Sequence, residues 1–376
     1  MVKKEKTWRK AGKKAEEEKE KKYSIAVLTL KKAGGGSAEK IADEASKLFS
    51  RAEVFLLSQL EIGAGKGTGI FCDSKNLKDF DCVYLRGSYA YARFLTAATM
   101  SLKAYMPIRP ETFVIAHDKF LTLLALQKAG IEIPVSYLVY TTKAARELLD
   151  KIHYPIVFKL PLGTHGKGVM FAESKESASS IIDTLSRVAK YPLIMQEYIE
   201  TGATDIRALV IGKKVFAMKR IAKKGELRAG IHTGATAEPY ELDYDTKHMT
   251  IKAAKVIGAD ICAVDIMKKG EKAVVIEVNV SPGIEGISKA LKKNIAKEIA
   301  LFLAERTKEK KLEEEEKHYA ALKEELEPVK EILTNLDIKG EIIRLPPAIT
   351  RTAKIMPTDE VIIKIEKGKI SIEKKE

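Results

Sequence analysis

Apolar and polar positions fall into short blocks from Tyr23 onward, and the blocks change period along the chain. Residues 25–30 form an apolar run and predict a strand. Gly34-Gly35-Gly36-Ser37 predicts a turn, and residues 38–49 have helical spacing. Residues 54–57 and 82–85 predict further strands, and 91–103 a helix, which is the order of an open α/β layer with a parallel sheet. Residues 119–129, ended by Gly130, predict an amphipathic helix. Strands follow at 135–140, 156–160 and 169–172, with helices at 142–149 and 175–189. From 193 to 278 the apolar runs lengthen and predict hairpin-linked strands around one helix, 245–257. A closing helix is predicted over 285–305. Residues 306–326 are dominated by Lys and Glu and predict an exposed helix, and 361–372, turning at Gly368, a terminal hairpin. The pattern divides the chain into residues 1–22, 23–116, 117–195, 196–305 and 306–376, with no internal repeat.

The length of 376 residues allows two or three domains, and 45% apolar residues is ordinary for a globular chain. No apolar stretch is long enough to span a bilayer, and the N-terminus has no apolar core of a signal peptide, so no membrane is expected. Cys72, Cys82 and Cys262 have no metal-site spacing and cannot all pair, which points to a reducing, cytoplasmic setting. The net charge of +14 is uneven: residues 1–22 carry +5, residues 305–376 carry −1, and +10 remains on the body between. Residues 1–22 read as a basic, disordered arm that could contact RNA or a ribosome, although a solvated tail has the same composition. A basic body suits ATP and acidic substrates as well as nucleic acid, and no nucleic-acid module is recognisable.

Candidate chemistry is densest in Glu277-Val278-Asn279-Val280-Ser281-Pro282-Gly283, with Asp265 twelve residues upstream. Residues 261–267 and 273–278 read as two strands of a hairpin turning at Gly270. Side chains alternate along a strand, so Glu277 and Asn279 share a face that Asp265 can meet from the neighbouring strand. Two carboxylates and a carboxamide are hard oxygen donors, and they suit Mg²⁺, which completes its shell with water and phosphate oxygens. A polar strand end would account for Asp265 alone but not for the triad followed by Ser-Pro-Gly.

A second cluster begins where the strand at 156–160 carries Lys159 and runs into Leu160-Pro161-Leu162-Gly163-Thr164-His165-Gly166-Lys167-Gly168. A glycine-rich loop between strands lets backbone N–H groups approach phosphates. It lacks the ending of a Walker loop and opens no helix, so it is not a dinucleotide fingerprint either. Gly63-Ala64-Gly65-Lys66-Gly67-Thr68-Gly69 reads instead as a flexible substrate-side or lid loop. Gln196-Glu197-Tyr198-Ile199 ends an apolar strand and could present backbone groups to adenine, with Glu197 accepting from the ribose or the amino group. Asp205 and Arg207 share a strand face, Lys219-Arg220 ends the next strand, and Arg228 lies in the following loop. Converging arginines suggest capture of a carboxylate or phosphate. His232 is given no catalytic role.

These motifs resemble the ATP-grasp superfamily and, within it, the RimK-type α-glutamate ligases, over roughly residues 24–304. The resemblance is clearest at His117-Asp118-Lys119, at 155–168, at 196–199, at Asp205-Ile206-Arg207 and at the Asp265, Glu277, Asn279 triad. Residues 278–287 are close to the family signature. It implies an α/β chain of the α+β ATP-grasp kind, in which 23–116 precede a central subdomain, 117–195, and a C-terminal one, 196–305, that hold ATP between them. Lys119 and Lys159 would hold the phosphates. Gly163, Thr164, His165, Gly166, Gly168, Gln196, Glu197, Tyr198, Ile199 and Asp205 would complete the ATP site. Asp265 would bind one of two Mg²⁺ ions, Glu277 both and Asn279 the other, with Mn²⁺ as a substitute. Arg228 would stabilise the transferred phosphoryl group, Arg207 and Arg220 would orient a carboxylate, and Ser281 and Gly283 would meet substrate. Where the family reads Arg-Ser-Asn-Leu-His-Arg-Gly-Gly, this chain has Arg228-Ala229-Gly230-Ile231-His232-Thr233-Gly234-Ala235, which leaves the acceptor and the added amino acid open.

The resemblance therefore implies an ATP- and Mg²⁺-dependent carboxylate–amine ligase working through an acyl phosphate. The amine would come from an amino acid such as glutamate, and the acceptor would be a protein C-terminus or a coenzyme tail, in a homo-oligomeric enzyme. The alternatives are a ligase acting on an amino-group carrier protein, or an RNA- or ribosome-associated protein with a vestigial ATP site.

Overall fold

The computed structural model describes residues 21–375, apart from 32–33, 67, 163–168, 189–191, 223–234, 326–336, 340–341, 346–348, 351–352 and 357. The chain divides into two compact units, Met1–Glu313 and Glu314–Glu376.

The first unit opens with β1 (Ser24–Thr29), α1 (Ser37–Ala45) and β2 (Arg51–Leu56). A small antiparallel meander follows: β3 (Leu60–Ile62), β4 (Ile70–Cys72) and β5 (Lys75–Asn76). The glycine cluster at 63–69 is thus the hairpin turn between β3 and β4, closed by Gly63 N–H donating to the Gly69 carbonyl at 2.9 Å, rather than a free lid. β6 (Cys82–Leu85) completes a parallel sheet in the order β2-β1-β6. The apolar run of β1 is fully buried because helices and loops cover both faces of such a sheet.

Three helices lead onward: α2 (Ala92–Met100), α3 (Thr112–His117) and α4 (Lys119–Lys128). Asp118 caps α4, its carboxylate accepting from Phe120 N–H at 2.9 Å and Leu121 N–H at 3.0 Å. The central region is an antiparallel sheet, β7 (Ser136–Val139), β8 (Ile156–Lys159), β9 (Met170–Ala172) and β10 (Leu193–Glu197), in the order β7-β10-β8-β9. It packs on α5 (Thr142–Leu148) and α6 (Lys175–Val188) around its own core of Phe158, Ile156, Ile182 and Met195.

The third sheet holds β11 (Thr204–Ile211), β12 (Lys214–Ile221) and β13 (Thr236–Pro239), then α7 (Tyr244–Ile257), β14 (Ile261–Lys269) and β15 (Lys272–Asn279). Its antiparallel order is β13-β12-β11-β14-β15, and α7 packs against β11 and β14. Its buried residues belong to the same core as those of the N-terminal sheet, while the central sheet stands on its own core.

After α8 (Glu285–Leu291) the chain turns at Lys292, which takes a left-handed conformation at φ 50°. α9 (Ile295–Glu325) then runs without a break through the position where the sequence predicts a closing helix to end and an exposed one to begin. Its middle turns are anchored. Thr307 is 1% exposed, Lys310 donates to the Ala104 carbonyl at 3.2 Å, and Lys311 pairs with Asp81 at 3.1 Å. The boundary between the two compact units falls within α9. The second unit contains two hairpins, β16 (Asp337–Lys339) with β17 (Ile342–Arg344) and β18 (Val361–Glu366) with β19 (Lys369–Lys374). Among the described residues no helix is long and apolar enough to cross a membrane.

Candidate active site

Cross-strand register builds the centre of the third sheet. Arg207 on β11 lies opposite Asp265 on β14, and Asp265 lies opposite Glu277 on β15. Asn279 pairs with Ala263, two residues from Asp265, so it shares that face. On the other side Asp205 lies opposite Arg220 on β12. One sheet face therefore brings together five of the residues singled out by sequence, with Asn279 at its edge.

The charges in this row are paired. Arg207 grips Asp265 with two bonds, Nε to Oδ1 at 2.8 Å and Nη2 to Oδ2 at 2.6 Å. Arg220 adds a contact from Nη2 to Asp265 Oδ2 at 3.1 Å and donates from Nε to Asp205. Burial disfavours the charge on Asp265, but Arg207 and Arg220 outweigh it and hold the carboxyl well below the usual range. Asp205 goes the other way. Burial, helped by the nearby negative charge of Asp265, pushes it to about 6 against the pull of Arg220. Sequence reasoning assigned Arg207 and Arg220 to a substrate carboxylate. In this structure both are turned onto the protein's own carboxylates.

No described residue forms a hydrogen bond or ion pair with the Glu277 carboxylate, which is half-buried on the same face. Asn279 Oδ1 accepts from Ser281 N–H at 2.9 Å, and Ser281 Oγ accepts from Gly87 N–H at 3.0 Å. The donor set fits a hard divalent cation: Asp265 stays ionised, Glu277 is uncommitted among the described residues, and Asn279 adds a neutral oxygen. Gly283 is exposed, and a Cβ there would meet only Glu285 Oε2, at 3.3 Å.

The nucleotide side is assembled from two bodies. Lys119 begins α4, which packs against α7 and β15 of the third sheet. Its backbone N–H donates to the Pro161 carbonyl at 3.0 Å, tying that helix start to the chain leaving β8. Lys159 at the end of β8 donates from Nζ to Gln196 Oε1 at 2.5 Å, and Gln196, 3% exposed, passes a bond from Nε2 to Ser136 Oγ at 2.7 Å. Each oxygen of the Glu197 carboxylate has one partner, Oε1 the Val135 N–H at 3.0 Å and Oε2 the Lys269 Nζ at 2.7 Å, so Glu197 ties the central and third sheets while keeping acceptor capacity. Tyr198 packs its ring edge-on to Phe171 with centroids 4.9 Å apart, and Ile199 is 5% exposed. Gly163, Thr164, His165, Gly166, Gly168 and Arg228 lie outside the described residues, as does His232.

Sequence reasoning missed the roles of Arg86, which reaches the Pro282 carbonyl from the end of β6, and of Ser37, which reaches Ile284 and Glu285 from the start of α1. A signal existed: in parallel sheets functional groups gather at the carboxyl ends of strands, where Arg86 follows β6 and Ser37 opens the helix after β1. His117, named in the sequence only beside Asp118 and Lys119, has a buried Nε2 without a partner among the described residues, and its pKa is lowered to about 4 by burial and by Lys119.

Comparison with known proteins adds to this geometry. A RimK-like ATP-grasp domain matches residues 116–303. The chain belongs to the RimK-like ATP-grasp family. It is 36% identical over 249 residues to a probable alpha-L-glutamate ligase from Thioalkalivibrio sulfidiphilus, covering 65% of this chain and 82% of that protein. Its fold matches a RiPP-associated ATP-grasp ligase from Chryseobacterium gregarium, solved with ADP and a leader and core peptide. The TM-score is 0.60 at 20% identity, over 76% of this chain and 97% of the other. It also matches the ATP-grasp ligase PsnB solved with a minimal precursor, Mg and ADP, with a TM-score of 0.59 at 19% identity over 76% and 98% of the two chains. This RimK-like protein is an α+β ATP-grasp chain and an ATP-dependent ligase, of a family that uses ATP and Mg²⁺.

Proposed function

We propose that this chain joins the amine of an amino acid, glutamate above all, to a carboxylate on a protein C-terminus or a coenzyme tail. The observation that carries the reading is the cross-strand row Arg207, Asp265, Glu277, with Asn279 beside it, in a RimK-like ligase domain. The names of the relatives support glutamate.

The chemistry runs in two steps. The substrate carboxylate oxygen attacks the γ-phosphorus of ATP, and the bond to the bridging oxygen breaks, giving an acyl phosphate and ADP. The amine then attacks the acyl carbon, loses a proton, and phosphate leaves with the C–O bonding pair. Asp265, Glu277 and Asn279 would hold the divalent ions, two Mg²⁺ or Mn²⁺ in their place. Bound there, such ions neutralise charge developing on the phosphate oxygens. Arg207 and Arg220 keep Asp265 ionised and fixed in place. Lys119 and Lys159 supply point charges for the polyphosphate from two bodies, so nucleotide binding would draw those bodies together. Gly163, Thr164, His165, Gly166 and Gly168 would offer backbone N–H groups, and residues 196–199 would edge the base. Arg228 would meet the transferred phosphoryl group, and Ser281 and Gly283 the substrate.

The test is turnover that depends on an acceptor. The full chain is incubated with ATP, MgCl₂, glutamate and candidate acceptor peptides or a cell extract. ADP release and mass spectrometry of the acceptor are then followed. A mass gain of one or more glutamyl residues is the expected outcome. ADP release that no carboxylate acceptor stimulates would overturn the reading.

A further inference from the structure

The turn after Asn279 is held from outside its own sheet. Arg86, the first residue after β6, donates from Nη2 to the Pro282 carbonyl at 2.7 Å, and Gly87 N–H donates to Ser281 Oγ at 3.0 Å. From the start of α1, Ser37 Oγ donates to Glu285 at 2.8 Å and accepts from Ile284 N–H at 3.3 Å. Both grips leave the carboxyl ends of adjacent parallel strands of the N-terminal sheet, which shares its core with the sheet carrying Asp265 and Glu277.

Arg86 is 7% exposed, and among the described residues no carboxylate pairs with it. Its Nη1 donates to Tyr84 Oη at 3.1 Å, and its guanidinium lies 5.4 Å from that ring. Burying an unneutralised cation is costly, and an apolar side chain would pack the same space without that cost. The guanidinium adds a planar fork of donors that fixes Pro282 relative to Tyr84. The fixed turn sets Ser281, and Ser281 N–H in turn holds Asn279 Oδ1 at 2.9 Å. We infer that Arg86 is a positioning residue for the metal-bound nucleotide, acting through Pro282 and Ser281 on the rotation of the Asn279 carboxamide. The inference rests on the metal role proposed above for Asn279. It makes the N-terminal sheet part of the metal site, not only a neighbour of it.

Partners of this kind typically change metal affinity by about 10–100-fold when removed. The experiment measures ADP binding to the full chain by calorimetry, with and without Mg²⁺, for wild type, Arg86→Lys and Arg86→Met. In Arg86→Met the metal-free affinity should stay within about twofold, while the gain in affinity caused by Mg²⁺ falls about tenfold. Arg86→Lys, which keeps one donor for Pro282, should recover part of that gain. The Mg²⁺ concentration that half-saturates ADP release should rise in parallel. A folded Arg86→Met chain with an unchanged Mg²⁺ gain overturns the inference, because a residue that only glues domains together would give that result. If Arg86→Met does not fold, Ser281→Ala removes the companion grip on the same turn, the bond from Gly87 N–H to Ser281 Oγ, while keeping the Ser281 N–H: the same loss of Mg²⁺ gain supports positioning of Asn279 from the N-terminal sheet and an unchanged gain overturns it. A wild-type chain that shows the Mg²⁺ gain but no acceptor-dependent turnover overturns the ligase reading and leaves the role of Arg86 open to the same binding test.

Discussion

The third sheet and the central sheet both carry groups aimed at the nucleotide, but they hold them by different means. In the third sheet, Asp205, Arg207, Arg220, Asp265 and Glu277 are placed by direct strand pairing, and all but Glu277 are locked in charge pairs. In the central sheet, Lys159 stands at the end of β8, where its Nζ donates to Gln196, and the chain beyond it is tied at Pro161 to the start of α4. The first arrangement fixes charge in place before any ligand arrives. The second sets its charge on a strand end, ahead of the glycine-rich sequence. The metal face should therefore report damage as lost stability or lost chemistry, and the phosphate lysines as lost affinity.

The sharpest way to break this comparison is Arg220→Met. It strips the shared cation from Asp265 and Asp205, both largely buried, and should cost about 3–5 kcal/mol in urea unfolding. A loss below about 1 kcal/mol would mean that the row is not pre-paired in solution. Glu277→Gln should do the reverse. With no described partner to lose, stability should hold within about 0.5 kcal/mol. ADP formation should nonetheless fall about 10²–10³-fold, and near-normal turnover would remove Glu277 from the mechanism. Lys159→Ala should weaken ATP binding by about 1–3 kcal/mol in calorimetry, and unchanged affinity would refute its placement at the phosphates.

His117 sharpens the comparison through pH. Its folded pKa, about 4, lies below the ordinary 6.5, so the unfolded chain binds more protons between those values. The stability it contributes is present above pH 6.5 and is lost as pH falls through 4, by on the order of 1–2 kcal/mol. His117→Gln should flatten that part of the stability profile, and an unchanged slope would mean that the imidazole is hydrated. The smallest effect is expected from deleting residues 314–376, which should leave ATP binding unaltered. Deleting from 307 should lower the melting temperature instead, because it removes Thr307, Lys310 and Lys311 from the first unit. Equal melting temperatures for the two truncations would show that those anchors add nothing.

The shared face of Asp265, Glu277 and Asn279 was legible because a hairpin is local and strand alternation has a fixed period. The grip of Arg207 on Asp265 was not, because β11 and β14 are neighbours in space while β12, β13 and α7 lie between them in the chain. The arginines thus read as substrate-facing when they are paired inward. The tie from Lys269 to Glu197 was hidden for the same reason: the last residue of a strand in one sheet reaches the end of another. The break at Lys292 carries neither glycine nor proline, and the Lys/Glu run of α9 contains no stop signal, so one helix was read where two exist and a boundary where none falls. The small meander was misread because a glycine-rich turn looks the same whether it closes a hairpin or hangs free.

One irregularity in the hairpin of β14 and β15 has a consequence for chain length. Pairing passes from Asp265 opposite Glu277 to Ile266 opposite Val275, so Ile276 is an extra residue in β15. If Ile276 took a regular place in the ladder, strict alternation would turn Val275 to the same side as Glu277 and Asn279, yet Val275 is fully buried in the core. The extra residue lets β15 serve the core up to Val275 and the ligand face from Glu277 onward. Insertions and deletions should therefore be tolerated very unequally within this one hairpin. The turn at Gly270 can grow or shrink by a residue with little effect beyond itself. Removing Ile276 would join the two registers into one regular ladder with Val275 and Glu277 on their present faces, whereas removing Val278 would turn Asn279 away from the face of Glu277.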